Sequence, residues 1–201
     1  MSVKPPVGKQ VNRSHPLARG LVSAWLFNEG AGTILQDLSG YKNNGTLAIG
    51  QWETGCLTWD TNLSFTLPIT RDSLTLPEGW SVVMGFKTRD TDKAQVSYVS
   101  GGVTYYRESA STVNDGYYHV AVGIYDGSDA ADSLTLYVDG AIDQGAQTGF
   151  GAADANVGTL TFDAAAGTGV FSEVYVYERA LAASEVRELY IDPYSFFDPL
   201  E

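Results

Sequence analysis

Apolar and polar positions alternate along most of the chain. In "LVSAWLFN", directly after Gly20, Trp25 and Phe27 share one side while Val22, Ala24 and Leu26 share the other. Both sides are apolar, the pattern of a strand covered on both faces. The period of two returns in "GWSVVMGFKT", which sets Val82, Met84 and Phe86 on one face. In "YYHVAVGIYD" it opposes Tyr118, Val120, Val122 and Ile124 to Tyr117, His119, Ala121 and Tyr125. "SLTLYVDG" places Leu134, Leu136 and Val138 inward and Ser133, Thr135 and Tyr137 outward. Shorter runs of the same kind are "TILQDL", "CLTWD", "LSFTLP", "AQVSYVS", "GVTYYRE", "AIDQGAQTG", "NVGTLTFD" and "GVFSEVYVYE". Gly, Asn and Asp separate them, and Asn44-Gly45 in "SGYKNNG" predicts a hairpin turn. The spacing of Ala182, Val186, Leu189 and Tyr190 predicts one helix near 182–190, with Glu185 in its first turn and Pro193 as its stop. Many short strands and one helix predict an antiparallel sandwich.

The two ends break the pattern. Pro5, Pro6, Gly8 and Pro16 punctuate residues 1–19, which hold Lys4, Lys9, Arg13 and Arg19. After the helix, "IDPYSFFDPLE" carries Tyr194, Phe196 and Phe197. The predicted organisation is an extended arm over 1–19, a sandwich over 20–191 and an aromatic tail over 192–201. A basic arm suits an acidic neighbouring surface, and aromatic rings are costly to leave in water. Arg13, Arg19, Tyr194, Phe196 and Phe197 are therefore the expected interface residues, and a homo-oligomer or shell-bound copy is the expected assembly.

Composition narrows the function. The chain has 201 residues, enough for one domain, with 24 acidic and 12 basic side chains and a formal net charge of −12. So few cations argue against nucleic acid or an anionic membrane as partner. No run reaches the roughly 20 apolar residues of a membrane span, and the N-terminus carries no signal-type apolar segment. The one cysteine, Cys56, forms no intrachain disulfide and reads as a small buried hydrophobe. With two histidines, a His-rich metal site is excluded, and His119 reads as a packed side chain. There is no G-x-S-x-G, H-E-x-x-H or P-loop sequence.

Three segments carry a resemblance. They are "GLVSAWLFNEGAGTILQDLSGYKNNGTL", "GYYHVAVGIYDGSDAADSLTLYVDGAIDQG" and "GVFSEVYVYERALAASEVRELY". Together they resemble the laminin-G-like branch of the concanavalin A-like lectin/glucanase superfamily. That pattern has an opening aromatic strand, a D-x-S-G-x-x-N-x-G turn, a W-H-H-V-A-V strand with L-Y-V-D-G, and a closing strand, turn and helix. The resemblance implies an all-β fold: an antiparallel two-sheet jelly-roll sandwich, concanavalin A-like, with one short C-terminal helix. Tyr117-Tyr118 stands where the pattern has Trp-His, and Ala182 stands where it has a capping Ser.

The same resemblance frames the chemistry. Glucanases of the superfamily place paired carboxylates on one strand as E-x-D-x-E, and this chain has none. In "EVYVYE", Glu173 and Glu178 are five apart and point to opposite faces. No enzyme activity is expected. Family calcium sites imply Asp60 as the first metal ligand, weakened because Ser172 replaces the second expected carboxylate. No cofactor is otherwise expected. Asp37, Ser39, Asn43 and Asn44 read as turn formers first. Trp25, Trp59 and Trp80 read as core. For a glycan, Tyr105, Tyr106, Tyr117 and Tyr125, with Tyr137 beside them, are the expected stacking platforms.

The segments "NRSHPLARGLV" and "ELYIDPYSFF" are similar to stand-alone laminin-G-like proteins of tailed bacteriophages and prophages. That similarity implies a non-enzymatic structural protein located in the virion, as capsid decoration or a head or tail fibre part. Its partners would be other virion proteins such as the major capsid protein. The alternative is a carbohydrate-binding module for host or environmental adhesion.

Overall fold

The strands with two apolar faces form the middle layer of the molecule. The computed structural model describes residues 3–53, 55–59, 62–68, 79–90, 93–100, 103–128, 133–148, 159–165 and 168–198. In chain order the strands begin with β1 (Leu21–Trp25), β2 (Ile34–Leu35), β3 (Gly45–Ile49), β4 (Gln51–Glu53) and β5 (Cys56–Trp59). They continue with β6 (Asn62–Pro68), β7 (Trp80–Thr88), β8 (Gln95–Ser100), β9 (Val103–Glu108) and β10 (Tyr118–Tyr125). Last come β11 (Leu134–Val138), β12 (Ala141–Ile142), β13 (Gln147–Thr148), β14 (Thr159–Ala165) and β15 (Gly169–Tyr177), followed by the helix α1 (Ala183–Ile191).

One antiparallel sheet runs β12-β11-β10-β7-β15-β5-β4, with β1 beside the C-terminal half of β15. Facing it are a four-stranded sheet, β14-β6-β3-β2, and a three-stranded sheet, β13-β9-β8. The architecture is the antiparallel sandwich the strand pattern predicts, with its second layer divided in two. Between the layers lies an inner core of Trp25, Phe27, Leu35, Leu57, Val113, Leu136, Phe171 and Val174 with their neighbours. The layers approach closely at Gly123, where a Cβ would collide with Val96. Leu134, Leu136 and Val138 point into this core, as their alternation predicts.

The other face of the large sheet is covered too. An outer core joins Val83, Val120, Val122, Tyr175 and Tyr177 to Leu17, Val186, Leu189, Phe196 and Phe197. The cover is made of the N-terminal segment, α1 and the C-terminal segment. The expected arm and tail are thus packed on the sandwich itself. Val11 bridges to Phe197, Asn12 N–H donates to the Phe196 carbonyl at 2.8 Å, and Asp198 N–H donates to that of Gln10 at 3.1 Å. Phe196 is fully buried and meets the Tyr175 ring edge-on at 5.0 Å, while the Tyr175 hydroxyl donates to Pro193 O. The apolar surface that a partner was expected to cover is covered by the chain's own sheet.

Two local expectations also change. A β-bulge between Leu21 and Ser23 shifts the register of β1 against β15. The extra residue puts Val22 in the inner core with Trp25 and Phe27, not on the face of Ala24 and Leu26. In the loop before β3, the left-handed positions are Gly40 and Lys42, and Gly45 already begins the strand. Asp37 organises that loop. Its carboxylate accepts from Ala24 N–H, Ser39 N–H and hydroxyl, and Asn43 N–H, so it is a turn former with no oxygen left over. Ala182 gives α1 no side-chain cap, and Glu185 takes the role, accepting from Ala182 N–H at 2.8 Å while Arg179 grips both its oxygens.

His119, at the start of β10, is buried between two carboxylates. Its Nδ1 lies 2.8 Å from Asp139 Oδ2 and its Nε2 3.0 Å from Asp115 Oδ1. Asp139 sits in a left-handed turn position after β11 and also accepts from Val120 N–H. The packed histidine read from the sequence is thus a clamp between strand and turn. Burial works against its charged form, but the hydrogen bonds to Asp139 and Asp115 outweigh it and raise the pKa above the ordinary histidine value.

Two outcomes follow from this packing. Phe196→Ala removes a fully buried ring from the outer core and should cost about 3–5 kcal/mol of unfolding free energy, read by denaturant titration. His119 binds its proton more tightly folded than unfolded. Its contribution should therefore be complete below about pH 6.5, the unfolded value, and fade as pH rises through the higher folded value. His119→Gln should flatten that part of the stability–pH curve, measured as Tm against pH.

Candidate functional site

The cover of the outer face is incomplete. Beyond the reach of α1 and the tail, one row of side chains crosses four strands. Gln51 on β4 pairs with Thr58 on β5, Thr58 with Val170 on β15, and Val170 with Lys87 on β7. Their partners in alternation, Trp52, Leu57, Phe171 and Phe86, belong to the inner core, so this row faces outward. Around the row is an open cleft of about 320 Å³, lined by Gln51, Glu53, Thr58, Lys87, Thr88, Arg89, Thr168, Gly169 and Val170.

One rim of the cleft is pinned by hydrogen bonds. Thr88 Oγ1 donates to Thr168 O at 3.1 Å and accepts from Asp90 N–H. The Asp90 carboxylate in turn accepts from Thr168 N–H at 2.7 Å and its hydroxyl at 2.6 Å. Those bonds hold the Asp90 carboxyl below its ordinary pKa. The end of β7 and the start of β15 are thus fixed to each other beside the cleft. The cleft offers two cations, Lys87 and Arg89, a carboxylate, Glu53, and the amide and hydroxyls of Gln51, Thr58, Thr88 and Thr168.

Next to the cleft, under the N-terminal segment, lies a buried carboxylate. Glu173 follows a β-bulge in β15 and is fully buried. The Tyr118 hydroxyl donates to one of its oxygens, and the Tyr194 hydroxyl to the other at 2.9 Å. A Cβ at Gly85 would collide with both Glu173 and Tyr118, so glycine makes the room for this pair. Above them Lys4 Nζ donates to Gly55 O at 2.5 Å and Ser172 O at 2.6 Å. Burial lowers the Lys4 pKa to about 8, offset in part by attraction to Glu173. Burial, followed by the nearby Glu173 charge, pushes Tyr118 and Tyr194 well above ordinary tyrosine. Both Glu173 oxygens are occupied and sealed from solvent, so this carboxylate is a structural anchor.

The residues expected from sequence fall in different places. Asp60 lies outside the described residues, as does the side chain of Trp59. Among the described residues, no group of three or more His, Cys, Asp or Glu side chains is arranged to hold a metal ion. Ser172 Oγ is 3.1 Å from the Tyr194 hydroxyl, and Cys56 is half-buried, with burial raising its thiol pKa.

The expected stacking tyrosines do not converge. Tyr125 is buried and stacks on Trp80 at 5.9 Å, which corrects its expected outward position: β10 is apolar on both faces. Tyr105 packs on the inner core, and Tyr106 is its half-buried neighbour on β9. Tyr137 is half-buried against the outer core. Tyr117 is 73% exposed. The preceding Gly116 donates its N–H to Thr88 O and lies against the Arg89 guanidinium, which places Tyr117 beside the cationic end of the cleft.

The expected interface residues are engaged within the chain. Arg13 lies over the Tyr41 ring at 4.7 Å, the Arg19 carbonyl accepts from Arg179, and Tyr194 bonds Glu173. Phe196 and Phe197 are buried, which corrects their reading as partner contacts.

Sequence reasoning missed the cleft residues. "GQWET" does set Gln51 and Glu53 two apart on a strand, and "GFKTRD" sets Lys87 near the end of one with Arg89 just past it. Only the register of four strands that are distant in sequence brings them together.

Solved structures share the fold at low identity. The Trypanosoma rangeli sialidase in complex with sialic acid aligns with a TM-score of 0.64 at 15% identity, over 89% of this chain and 34% of that one. The receptor binding domain of botulinum neurotoxin C/D mosaic serotype aligns with a TM-score of 0.62 at 11% identity, over 87% of this chain and 51% of that one. The chain therefore spans about a third of the sialidase and about half of the neurotoxin domain. A comparison with curated protein sequences finds no match. A laminin G-like family model matches residues 70–187, from before β7 into α1, while the resembling segment that opens at Gly20 lies ahead of the match. That stretch is more than half of the 201 residues, and with the antiparallel sandwich around it the chain belongs to the concanavalin A-like lectin/glucanases superfamily, in its laminin G-like branch.

Proposed function

We propose that this chain is a non-enzymatic recognition module that binds a carbohydrate in the cleft on the outer face of its large sheet. The observation that carries the reading is the row Gln51, Thr58, Val170 and Lys87, a shallow floor with hydrogen-bonding groups on both sides. Sugars present hydroxyls at fixed spacing, and a pinned polar rim meets them with little loss of side-chain freedom. The non-enzymatic part rests on carboxylate count. Glycoside hydrolysis by the usual routes needs two facing carboxyl groups, and among the described residues the lining of the cleft contains one, Glu53. The proposed binding needs no calcium, because the polar groups of the cleft include cations that would oppose a metal ion.

A virion role is the second reading, with other virion proteins such as the major capsid protein as partners. Its structural support is the seam between Val11 and Phe197, which brings both end segments to one place on the domain. A sandwich joined there can be mounted on a particle with its cleft still open. Light scattering that finds a defined oligomer, or co-assembly with shell protein, would favour that reading. A monomer that binds glycan would favour the module alone.

Val170→Trp should fill the cleft floor and abolish glycan binding in a saccharide screen while leaving Tm within a few degrees of the parent. Chelator should leave binding unchanged. Retention of full binding by this variant would remove the cleft from the proposal.

A further inference from the structure

We infer that the cleft selects saccharides bearing a carboxylate, with the acidic group held at its β7 end by Lys87 and Arg89; this rests on the carbohydrate-binding reading above. The argument begins with what the chain does with its cations. Acids outnumber bases two to one, and several of the described bases are in use within the chain. Lys4, Lys93 and Arg107 donate to backbone carbonyls, Arg13 lies over Tyr41, and Arg179 pairs with Glu185. Lys87 and Arg89 are exposed and have no ion-pair partner among the described residues, although the chain is rich in carboxylates. Asp90, the acid next to Arg89, has its carboxylate committed to Thr168.

Position adds to charge. Lys87 near the end of β7 and Arg89 in the bend that follows it both line the cleft. The Arg89 guanidinium lies against Gly116, and a guanidinium can hold a carboxylate by donating two parallel hydrogen bonds. Glu53 stands on β4, three strands away, a separation of about 14 Å at the usual strand spacing. The cleft is therefore polarised, cationic at β7 and acceptor-rich at β4. A saccharide with its carboxylate toward β7 would give its hydroxyl hydrogens to Glu53 and Gln51. A ligand of uniform negative charge would meet Glu53, and a cationic one would meet Lys87 and Arg89.

The test compares a disaccharide that carries one terminal glucuronate on a neutral sugar with its methyl ester, which keeps the sugar and removes the charge, by calorimetric titration on the full chain. The acid should bind about tenfold tighter at low salt, equivalent to about 1.4 kcal/mol. That preference should shrink as salt is raised. The double variant Lys87→Met, Arg89→Met should bind acid and ester alike, at the ester's affinity. Arg187→Ala, an exposed change on α1, should keep the preference. Equal binding of acid and ester by the parent would overturn the inference while leaving carbohydrate binding in place. So would a preference that survives in the double variant. If the parent binds neither of these nor any neutral oligosaccharide, the carbohydrate reading falls with it.

Discussion

A carboxylate taken out of water costs several kcal/mol unless donors replace its hydration, and the outer layer of this protein is arranged around one such group. Glu173 is fully buried on a central strand, with one tyrosine hydroxyl on each oxygen. The two tyrosines come from places far apart in the chain, Tyr118 from β10 and Tyr194 from the segment after α1. Lys4, from the opposite end of the chain, closes the assembly by donating to carbonyls beside it. Satisfying one carboxylate thus requires three separate segments to be in position at once. The geometry demands a bulge in β15 and a glycine at position 85, and both are present.

The anchor explains why the ends of the chain are part of the fold. A sheet with two apolar faces needs two covers. The smaller sheets supply the inner one. The outer one has to come from the helix and the two end segments, which are held by the Val11–Phe197 bridge and by Glu173. The cover reaches β4 and β5 only at their turn, where Lys4 meets Gly55, and past it the outward residues Gln51 and Thr58 are polar. The cleft is the part of the outer face that the cover does not reach, and its floor is as rigid as the sheet that forms it.

Much of this was legible in the sequence. Period-two alternation identified the strands, and the apolar character of both sides of "LVSAWLFN" already implied a strand covered on both faces. It did not identify what covered the second face. Tyr194, Phe196 and Phe197 were correctly read as rings that need burial, but an apolar surface carries no address, and burial against the chain's own sheet satisfies it as well as a partner would. The bulge at β1 was invisible because one inserted residue reverses the parity of everything before it. Tyr125 was misread for a related reason: on a strand buried on both faces, the side opposite the aliphatic residues is not solvent. Glu173 was seen only as half of a missing catalytic pair, since a one-dimensional pattern has no sign for two distant tyrosines. The cleft depends on cross-strand register, which alternation leaves open.

The net charge shows the same limit from another side. A total of −12 argues against nucleic acid as a partner, because that recognition draws on many phosphates over an extended surface. It says little about a cleft whose cationic and acidic ends lie about 14 Å apart. At physiological salt, charges separated by more than about 8 Å are largely screened from one another, so a ligand in the cleft is governed by its immediate neighbours. Those neighbours are Lys87 and Arg89 at one end and Glu53 at the other. A strongly acidic protein can in this way present a local cationic site while its overall charge repels polyanions.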